Sequence, residues 1–187
     1  MTLRRSLATC LVLASLAACT PWTRVDQGSR TETRRDDFSL DLPVGWVKRT
    51  ANGNGNDFFV TRDGPALNYI VVKRESHDRK LPGTKRSTRA GMLPHEIAEI
   101  ALAEWRSAEA TANLEVLSSS PVMLGGKPAA RVHVRYRNER GLPLERVMVS
   151  LFDAKGRLSI LYEAPAIVYF QRGLADFEAM VASVRFP

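Results

Sequence analysis

Cysteine is nearly absent from this chain. Its two cysteines, Cys10 and Cys19, both lie near the N-terminus, and none follows them. The chain after Cys19 therefore excludes a disulfide, a cysteine nucleophile and a zinc–thiolate site. With 187 residues, 44% of them apolar, the polypeptide is long enough to bury a core without such crosslinks, and its length indicates one domain with terminal extensions.

Sequence motifs for catalysis and metal binding are also missing. The three histidines, His77, His95 and His133, show no ligand spacing between any two, and there is no His-Glu-x-x-His pair or Asp-rich calcium loop. No Gly-x-Ser-x-Gly motif provides a nucleophile. The glycine-rich segments 53–55 and 125–126 lack the Lys-Ser/Thr of a phosphate loop and indicate turns. We therefore expect no metal, no bound cofactor and no enzyme activity.

The first 18 residues have the pattern of an export signal. Arg4 and Arg5 form a short positive region, residues 7–16 are an apolar run, and the small residues Ala17 and Ala18 follow. The apolar run is shorter than the roughly 20 residues that a membrane-spanning helix needs. We therefore predict that residues 1–18 are a cleaved signal peptide.

The motif Leu16-Ala17-Ala18-Cys19 resembles the lipobox of bacterial prolipoproteins. This resemblance implies cleavage between Ala18 and Cys19, with diacylglycerol on the Cys19 thiol and an acyl chain on its amine. Two or more acyl chains anchor a protein stably to a bilayer. The residue after the cysteine is Thr20. In enterobacterial-type sorting, Asp at this position marks retention at the inner membrane, so Thr20 implies the outer membrane. We expect a lipid-anchored protein of the cell envelope that faces the periplasm.

The remaining chain divides into a polar segment and a folded domain. Residues 19–37 contain few apolar side chains and no periodicity, which predicts a lipidated N-terminus followed by a flexible tether. Residues 38–187 show strand alternation, a helical pattern from Pro94, two hairpins and a closing helix. Consecutive hairpins imply an antiparallel sheet, and the helices need its apolar face. We predict a single α+β domain in which helices cover an antiparallel sheet.

Two short motifs resemble the PsbP-like fold, which is named for an extrinsic protein of photosystem II. One is the opening sequence Phe-Ser-Leu-Asp-Leu-Pro-Val-Gly-Trp at residues 38–46, and the other is a final helix over 176–183 with a short strand at 184–186. The resemblance implies a curved antiparallel sheet between helices. It also implies scaffolding, assembly or binding roles, but no partner-binding residue of that family matches a residue here.

Positive charge is the most asymmetric property of the sequence, whose formal net charge is +7. Basic residues concentrate in a polar loop near 75–93 and alternate along a strand near 131–137, where period two places them on one face. This arrangement indicates either a solvated surface or a contact surface for an anionic envelope component. Export argues against nucleic acid. The candidate contact residues are Arg79, Lys80, Lys85, Arg86, Arg89, Arg131, His133, Arg135 and Arg137.

These observations favour a membrane-tethered module that binds or assembles with an envelope protein or an anionic envelope component. Two alternatives stay open. The first is a carrier of a small hydrophobic ligand in a groove between sheet and helix. The second is an enzyme whose site is assembled in space, for example around His133. A deep apolar pocket would favour the carrier, and a pocket of converging titratable groups would favour the enzyme. The absence of both kinds of pocket would favour partner binding.

Overall fold

A computed structural model describes residues 22–26, 30–32, 37–49, 56–77, 79, 81, 88–108 and 111–187. Ten strands and two helices lie in this part of the chain. The strands are β1 Trp22–Arg24, β2 Arg30–Glu32, β3 Ser39–Asp41, β4 Val47–Arg49, β5 Asn56–Thr61, β6 Tyr69–Glu75, β7 Ala112–Leu124, β8 Lys127–Arg137, β9 Pro143–Asp153 and β10 Gly156–Pro165. The helices are α1 Pro94–Ser107 and α2 Tyr169–Ala182.

Eight of these strands form one antiparallel sheet, in the order β1-β4-β5-β6-β10-β9-β8-β7, while β2 and β3 pair separately. Both predicted hairpins are present. Gly125 and Gly126 join β7 to β8 with positive φ angles of 55° and 80°, a conformation that favours glycine. The predicted antiparallel sheet is therefore confirmed.

The strand register gives the sheet two distinct ends. We call the lower end the one where β6 finishes at Glu75 and β10 begins at Gly156. The upper end is the one where β6 begins at Tyr69 and β10 finishes at Pro165. Because every strand pair is antiparallel, the connections along the sheet alternate between these two ends.

Helix α2 covers one face of the sheet. Its buried residues Phe170, Phe177 and Met180 pack with Ile160 and Tyr162 of β10. The predicted apolar stripe of this helix is thus confirmed at Phe170 and Phe177. It also includes Gly173, where a Cβ atom would lie 2.4 Å from the Tyr162 hydroxyl. A residue larger than glycine has no room there.

Helix α1 covers β7, β8 and β9 on the opposite face. Ile97, Ile100 and Trp105 are buried and pack with Val132 and Val134 of β8. The helix begins at Pro94, as the sequence predicts, because the first turn of a helix needs no amide proton from that position. The predicted arrangement of helices over an antiparallel sheet is confirmed, with one helix on each face. No helix among the described residues is long and apolar enough to cross a bilayer.

The structure corrects the position at which the folded domain starts. We predicted order from Phe38, but β1 and β2 lie within residues 19–37 and pair with β4 and β3. Val25 is buried, and its amide donates to the Trp46 carbonyl at 2.8 Å. The folded domain therefore includes the strand that begins at Trp22. Strands of three residues are too short to show alternation, so periodicity could not identify them.

A chain that starts at Asp37 should therefore be less stable than one that starts at Trp22. The shorter chain loses Val25 from the core, and burying a valine side chain contributes about 1.5–3 kcal/mol. We expect its free energy of unfolding in urea to fall by about 2–3 kcal/mol. The exposed substitution Arg24→Ala in the longer chain should cost less than about 0.5 kcal/mol. Equal urea midpoints for the two chains would return the boundary to Phe38.

Candidate functional site

The predicted cleavage and lipidation site, Ala18 and Cys19, lies outside the described residues. The described residues begin at Trp22, three residues after Cys19, and Trp22 lies on the edge strand β1 about halfway up the sheet. Lipidation of Cys19 stays a prediction from the sequence.

The basic residues of the loop between β6 and α1 are partly neutralised. Arg79 pairs with Glu75, and the Arg89 Nη2 atom lies 3.1 Å from Glu96 Oε1. Lys80, Lys85 and Arg86 lie outside the described residues. The net charge that this loop can present is therefore smaller than the sequence alone implies, and its contact role stays a prediction.

The basic row on β8 does share one face, as the alternation predicts, but that face is the one that α2 covers. The His133 ring stacks on the buried Phe170 ring with centroids 5.0 Å apart. Its Nε2 atom lies 2.8 Å from Glu145 Oε2, and Arg135 donates to the other oxygen of Glu145 at 2.8 Å. Our expectation that the row points away from the core was wrong for His133.

The two remaining members of that row differ in their surroundings. Arg131 forms a 2.7 Å ion pair with Glu178 of α2, whereas the exposed Arg137 donates to the Gly141 carbonyl at 2.8 Å. The carboxylates of Glu145 and Glu178 thus offset much of the positive charge of the row. The positive charge of the row that no carboxylate offsets therefore lies at its upper end, at Arg137, and its role in binding an anion stays a prediction.

A buried polar network that sequence reasoning missed lies on the face covered by α1. Its centre is Glu163 of β10, whose carboxylate accepts hydrogen bonds from three strands. Tyr69 of β6 donates to Oε1 at 2.6 Å, while Tyr136 of β8 and Arg146 of β9 donate to Oε2 at 2.7 and 2.5 Å. The signal for this network was present, because an acidic residue inside an apolar strand needs buried partners.

The Arg146 guanidinium is held between two aromatic rings. Its carbon lies 5.2 Å from the ring centroid of Trp105 in α1 and 4.9 Å from that of Tyr136. Cation–π contacts are strongest where water is excluded. Arg146 therefore connects the helix to the strands, in addition to balancing the charge of Glu163.

Burial raises the pKa of the Tyr69 hydroxyl well above its usual value, and the negative charge of Glu163 raises it further. Burial also raises the pKa values of Tyr136 and Tyr162. These hydroxyls consequently remain protonated hydrogen-bond donors across the physiological range. They cannot act as proton acceptors in their ionised form near neutral pH.

A small cavity opens above this network at the upper end of the sheet. Its volume is about 190 Å³, and Tyr69, Asn138 and Glu163 contribute polar side chains to its wall. Its other walls are mostly apolar and come from the connections near 65–67, 138–142 and 164–165. A second cavity, of about 200 Å³, lies where the start of α1 meets Ser119 and Ser120 of β7.

Exposed apolar side chains surround the upper end. Leu142, which lines the cavity, is 43% exposed, and in the connection to α2 Ile167 and Val168 are 73% and 59% exposed. The Ala166 amide donates to the Pro143 carbonyl, so the two connections are adjacent. Val168 has a φ of +70°, which is unfavourable for a β-branched residue. The fold thus holds two large apolar side chains in water on a strained turn.

Among the described residues, no group of three or more histidine, cysteine or acidic side chains could hold a metal ion. The titratable side chains brought together at Glu163 and at Glu145 are instead paired with one another. The upper end of the sheet is therefore a rigid surface with a shallow cavity and an apolar rim.

Comparisons with solved structures support the fold. The chain is similar to cyanobacterial PsbP from Synechocystis, with a TM-score of 0.56, 11% identity, and coverage of 85% of this chain and 92% of that one. It is equally similar to the Saccharomyces cerevisiae Ran-binding protein Mog1p, with a TM-score of 0.56, 10% identity, and coverage of 84% and 94%. The predicted PsbP-like fold is therefore confirmed.

A structure from Bacteroides thetaiotaomicron aligns less well, with a TM-score of 0.49 and 14% identity. The alignment covers 86% of this chain but 49% of that longer protein. No protein-family model and no curated protein sequence matches the chain.

The buried tyrosines predict a loss of stability at alkaline pH. An unfolded tyrosine ionises near pH 10, whereas Tyr69, Tyr136 and Tyr162 stay protonated in the fold, so the free energy of unfolding falls as the pH rises above 10. Each tyrosine contributes a slope of about 1.4 kcal/mol per pH unit. Denaturant unfolding of Tyr69→Phe should show a slope smaller by about that amount. An unchanged slope would mean that the Tyr69 hydroxyl ionises in the folded protein.

Proposed function

We propose that the mature chain is a lipid-anchored module of the bacterial cell envelope that binds a protein partner through the upper end of its sheet. The export signal and the lipobox support anchoring through Cys19, and Thr20 supports the periplasmic side of the outer membrane. The upper-end surface consists of the small cavity with its rim residue Leu142 and the adjacent turn residues Ile167 and Val168.

The size of the upper cavity is the observation that carries this proposal. Pockets that bind small molecules have volumes of about 300–1,000 Å³ and bury most of their ligand. A cavity of about 190 Å³ with an exposed apolar rim suits a single side chain of a protein partner better than a whole hydrophobic ligand. This favours partner binding over the carrier alternative.

The chemistry of the cavity favours binding over catalysis as well. Glu163 is the acidic group at its wall, and both of its oxygens already accept hydrogen bonds from Tyr69, Tyr136 or Arg146. A general base takes up a proton through a lone pair directed at the substrate, and three of the roughly four acceptor positions of this carboxylate are already used within the protein. The network is better suited to fixing the shape of the upper end than to transferring a proton.

The exposed turn at Ile167 and Val168 supports the same assignment. Backbone strain of this kind persists where the surrounding structure enforces it, and it is concentrated at functional sites. Large exposed apolar side chains next to a pocket form the type of surface that protein interfaces bury. Among the similar structures, Mog1p is a Ran-binding protein, so a protein-binding role is compatible with this fold.

Site-specific crosslinking in living cells tests the proposal. A photoreactive residue at Ile167 should form a discrete adduct with one envelope protein, and the same residue at the lower-end position Ala154 should not. Adding Leu142→Asp to the Ile167 probe should reduce the adduct by at least about tenfold, since losing a hot-spot contact costs about 2 kcal/mol or more and about 1.4 kcal/mol is tenfold.

The matched control is Val116→Asp, which places the same charge at another exposed apolar position, on β7. It should leave the adduct unchanged. An adduct that forms equally from Ala154, or that survives Leu142→Asp, would contradict binding at the upper end.

A further inference from the structure

The sheet ends in two edge strands of very different length. One edge is β1, with three residues, and the other is β7, which has 13 residues and is the longest strand of the sheet. Within the described ranges, no strand pairs with the outer edge of β7. Edge strands of natural proteins are usually short or charged, because their unpaired amides and carbonyls otherwise pair with another chain. The length of β7 therefore marks it as the edge to which a further strand can be added.

The exposed middle of β7 is uncharged and regular. Residues 116–124 contain no charged side chain, and residues 118–124 pair with β8 without a bulge. Ser118, Ser119, Ser120 and Pro121 are exposed. Like charges that face each other across a strand pair are destabilising, and two copies of this segment would meet without them.

Pro121 indicates which backbone groups of β7 face outward. Proline has no amide proton, so in an edge strand its nitrogen faces away from the sheet. Backbone groups alternate in direction along a regular antiparallel strand. The amides of Ser119 and Met123 therefore also face outward, whereas the amide of Ser120 faces β8. An added strand can accept hydrogen bonds from Ser119 and Met123.

The register places two exposed apolar residues of β7 symmetrically about Ser120. On β8, the partner of Val116 lies three residues to one side of the partner of Ser120, and the partner of Met123 lies three residues to the other side. Both side chains project from the face that α1 covers, and Val116 is 37% exposed while Met123 is 62% exposed. A two-fold axis at Ser120 therefore sets Val116 of one copy opposite Met123 of the other.

Other positions of the axis fit this strand less well. An axis at Pro121 would place two prolines opposite each other where neither nitrogen can donate. An axis at Ser119 would place Met123 opposite the bulged upper part of β7. With the axis at Ser120, the Ser119 amide of each copy donates to the Pro121 carbonyl of the other, which is the hydrogen-bonding group that Pro121 retains.

We propose that two copies of this chain associate through β7, in an antiparallel pair with a two-fold axis at Ser120, and so continue the sheet from one copy into the other. The pair buries the exposed side chains of Val116 and Met123, and it lies against the second cavity, between β7 and the start of α1. Two-fold dimers are the commonest homo-oligomers. The interface is separate from the upper-end surface, because Ile167 follows β10, and β9 and β8 lie between β10 and β7.

Disulfide crosslinking tests the register of this pair. A chain of residues 19–187 with Cys19→Ala contains every described residue and no cysteine. Because the Ser120 amide faces β8, the two copies of residue 120 form a non-hydrogen-bonded pair with Cα atoms about 4.5 Å apart, within the range of about 4.4–6.8 Å that a disulfide needs. Ser120→Cys in this chain should convert most of the protein to a disulfide-linked dimer on mild oxidation.

The matched control is Ser118→Cys, an exposed serine of the same run on the same face of the sheet. In the proposed pair the two copies of residue 118 are offset by four residues along the strands, so their Cα atoms are about 14 Å apart. This distance is too long for a disulfide. A disulfide-linked dimer from both variants, or from neither, would overturn the pair.

Sedimentation equilibrium of the cysteine-free chain measures the dimer without a crosslink. A lysine on a strand edge opposes pairing, and each dimer of Met123→Lys loses two buried methionine side chains, so its dissociation constant should rise at least about tenfold. Val44→Lys makes the same change at a residue that is 57% exposed, between β3 and β4, and should leave the constant unchanged. A wild type that stays monomeric throughout, or equal constants for the two lysine variants, would contradict the dimer.

A photoreactive residue at Ser120 of the full chain distinguishes a second copy from another partner in cells. We expect an adduct of two identical chains. An adduct with a different protein would assign the edge to a foreign strand and overturn the proposal. Val116→Asp should weaken the Ser120 adduct and leave the Ile167 adduct unchanged, so failure of one interface is distinguishable from failure of the other.

Discussion

The buried carboxylate of Glu163 is the point at which the fold is tied together. It accepts hydrogen bonds from β6, β8 and β9, and Arg146 extends the network to Trp105 of α1. Removing one partner of a buried charge pair costs about 3–5 kcal/mol, because the other charge is left uncompensated. The four strands must therefore keep their register for the network to exist, and that register gives the upper end its shape.

The same register locates the two exposed regions of the fold. Leu142, Ile167 and Val168 expose apolar area around a small cavity at the upper end, whereas Trp22 lies on the edge strand β1, about halfway up the sheet. The antiparallel sheet that carries both regions is rigid, because its strands are paired along most of their length.

The sequence was sufficient to predict the elements with long, regular patterns. Alternation, turn glycines and helical spacing identified the hairpins and both helices, because burial of one face imposes those periods. It was insufficient wherever the deciding contact joins distant residues. The β8 row looked free because Glu145 and Glu178 are separated from it in sequence, and β1 was missed because three residues define no period. Glu163 could have been noticed as a charge within an apolar strand, but its partners Tyr69 and Arg146 could not have been assigned.

The central claim is that the Glu163 network maintains the shape of the upper end of the sheet. Hydrogen exchange of the backbone amides in Glu163→Gln measures this directly, because the substitution leaves the buried charge of Arg146 uncompensated. We predict that amides of the upper-end connections near 138–142 and 164–168 exchange faster in the variant, whereas those of the lower-end turn at Gly125 and Gly126 keep their wild-type rates. Unchanged exchange at the upper end, or an equal increase at both ends, would contradict the account.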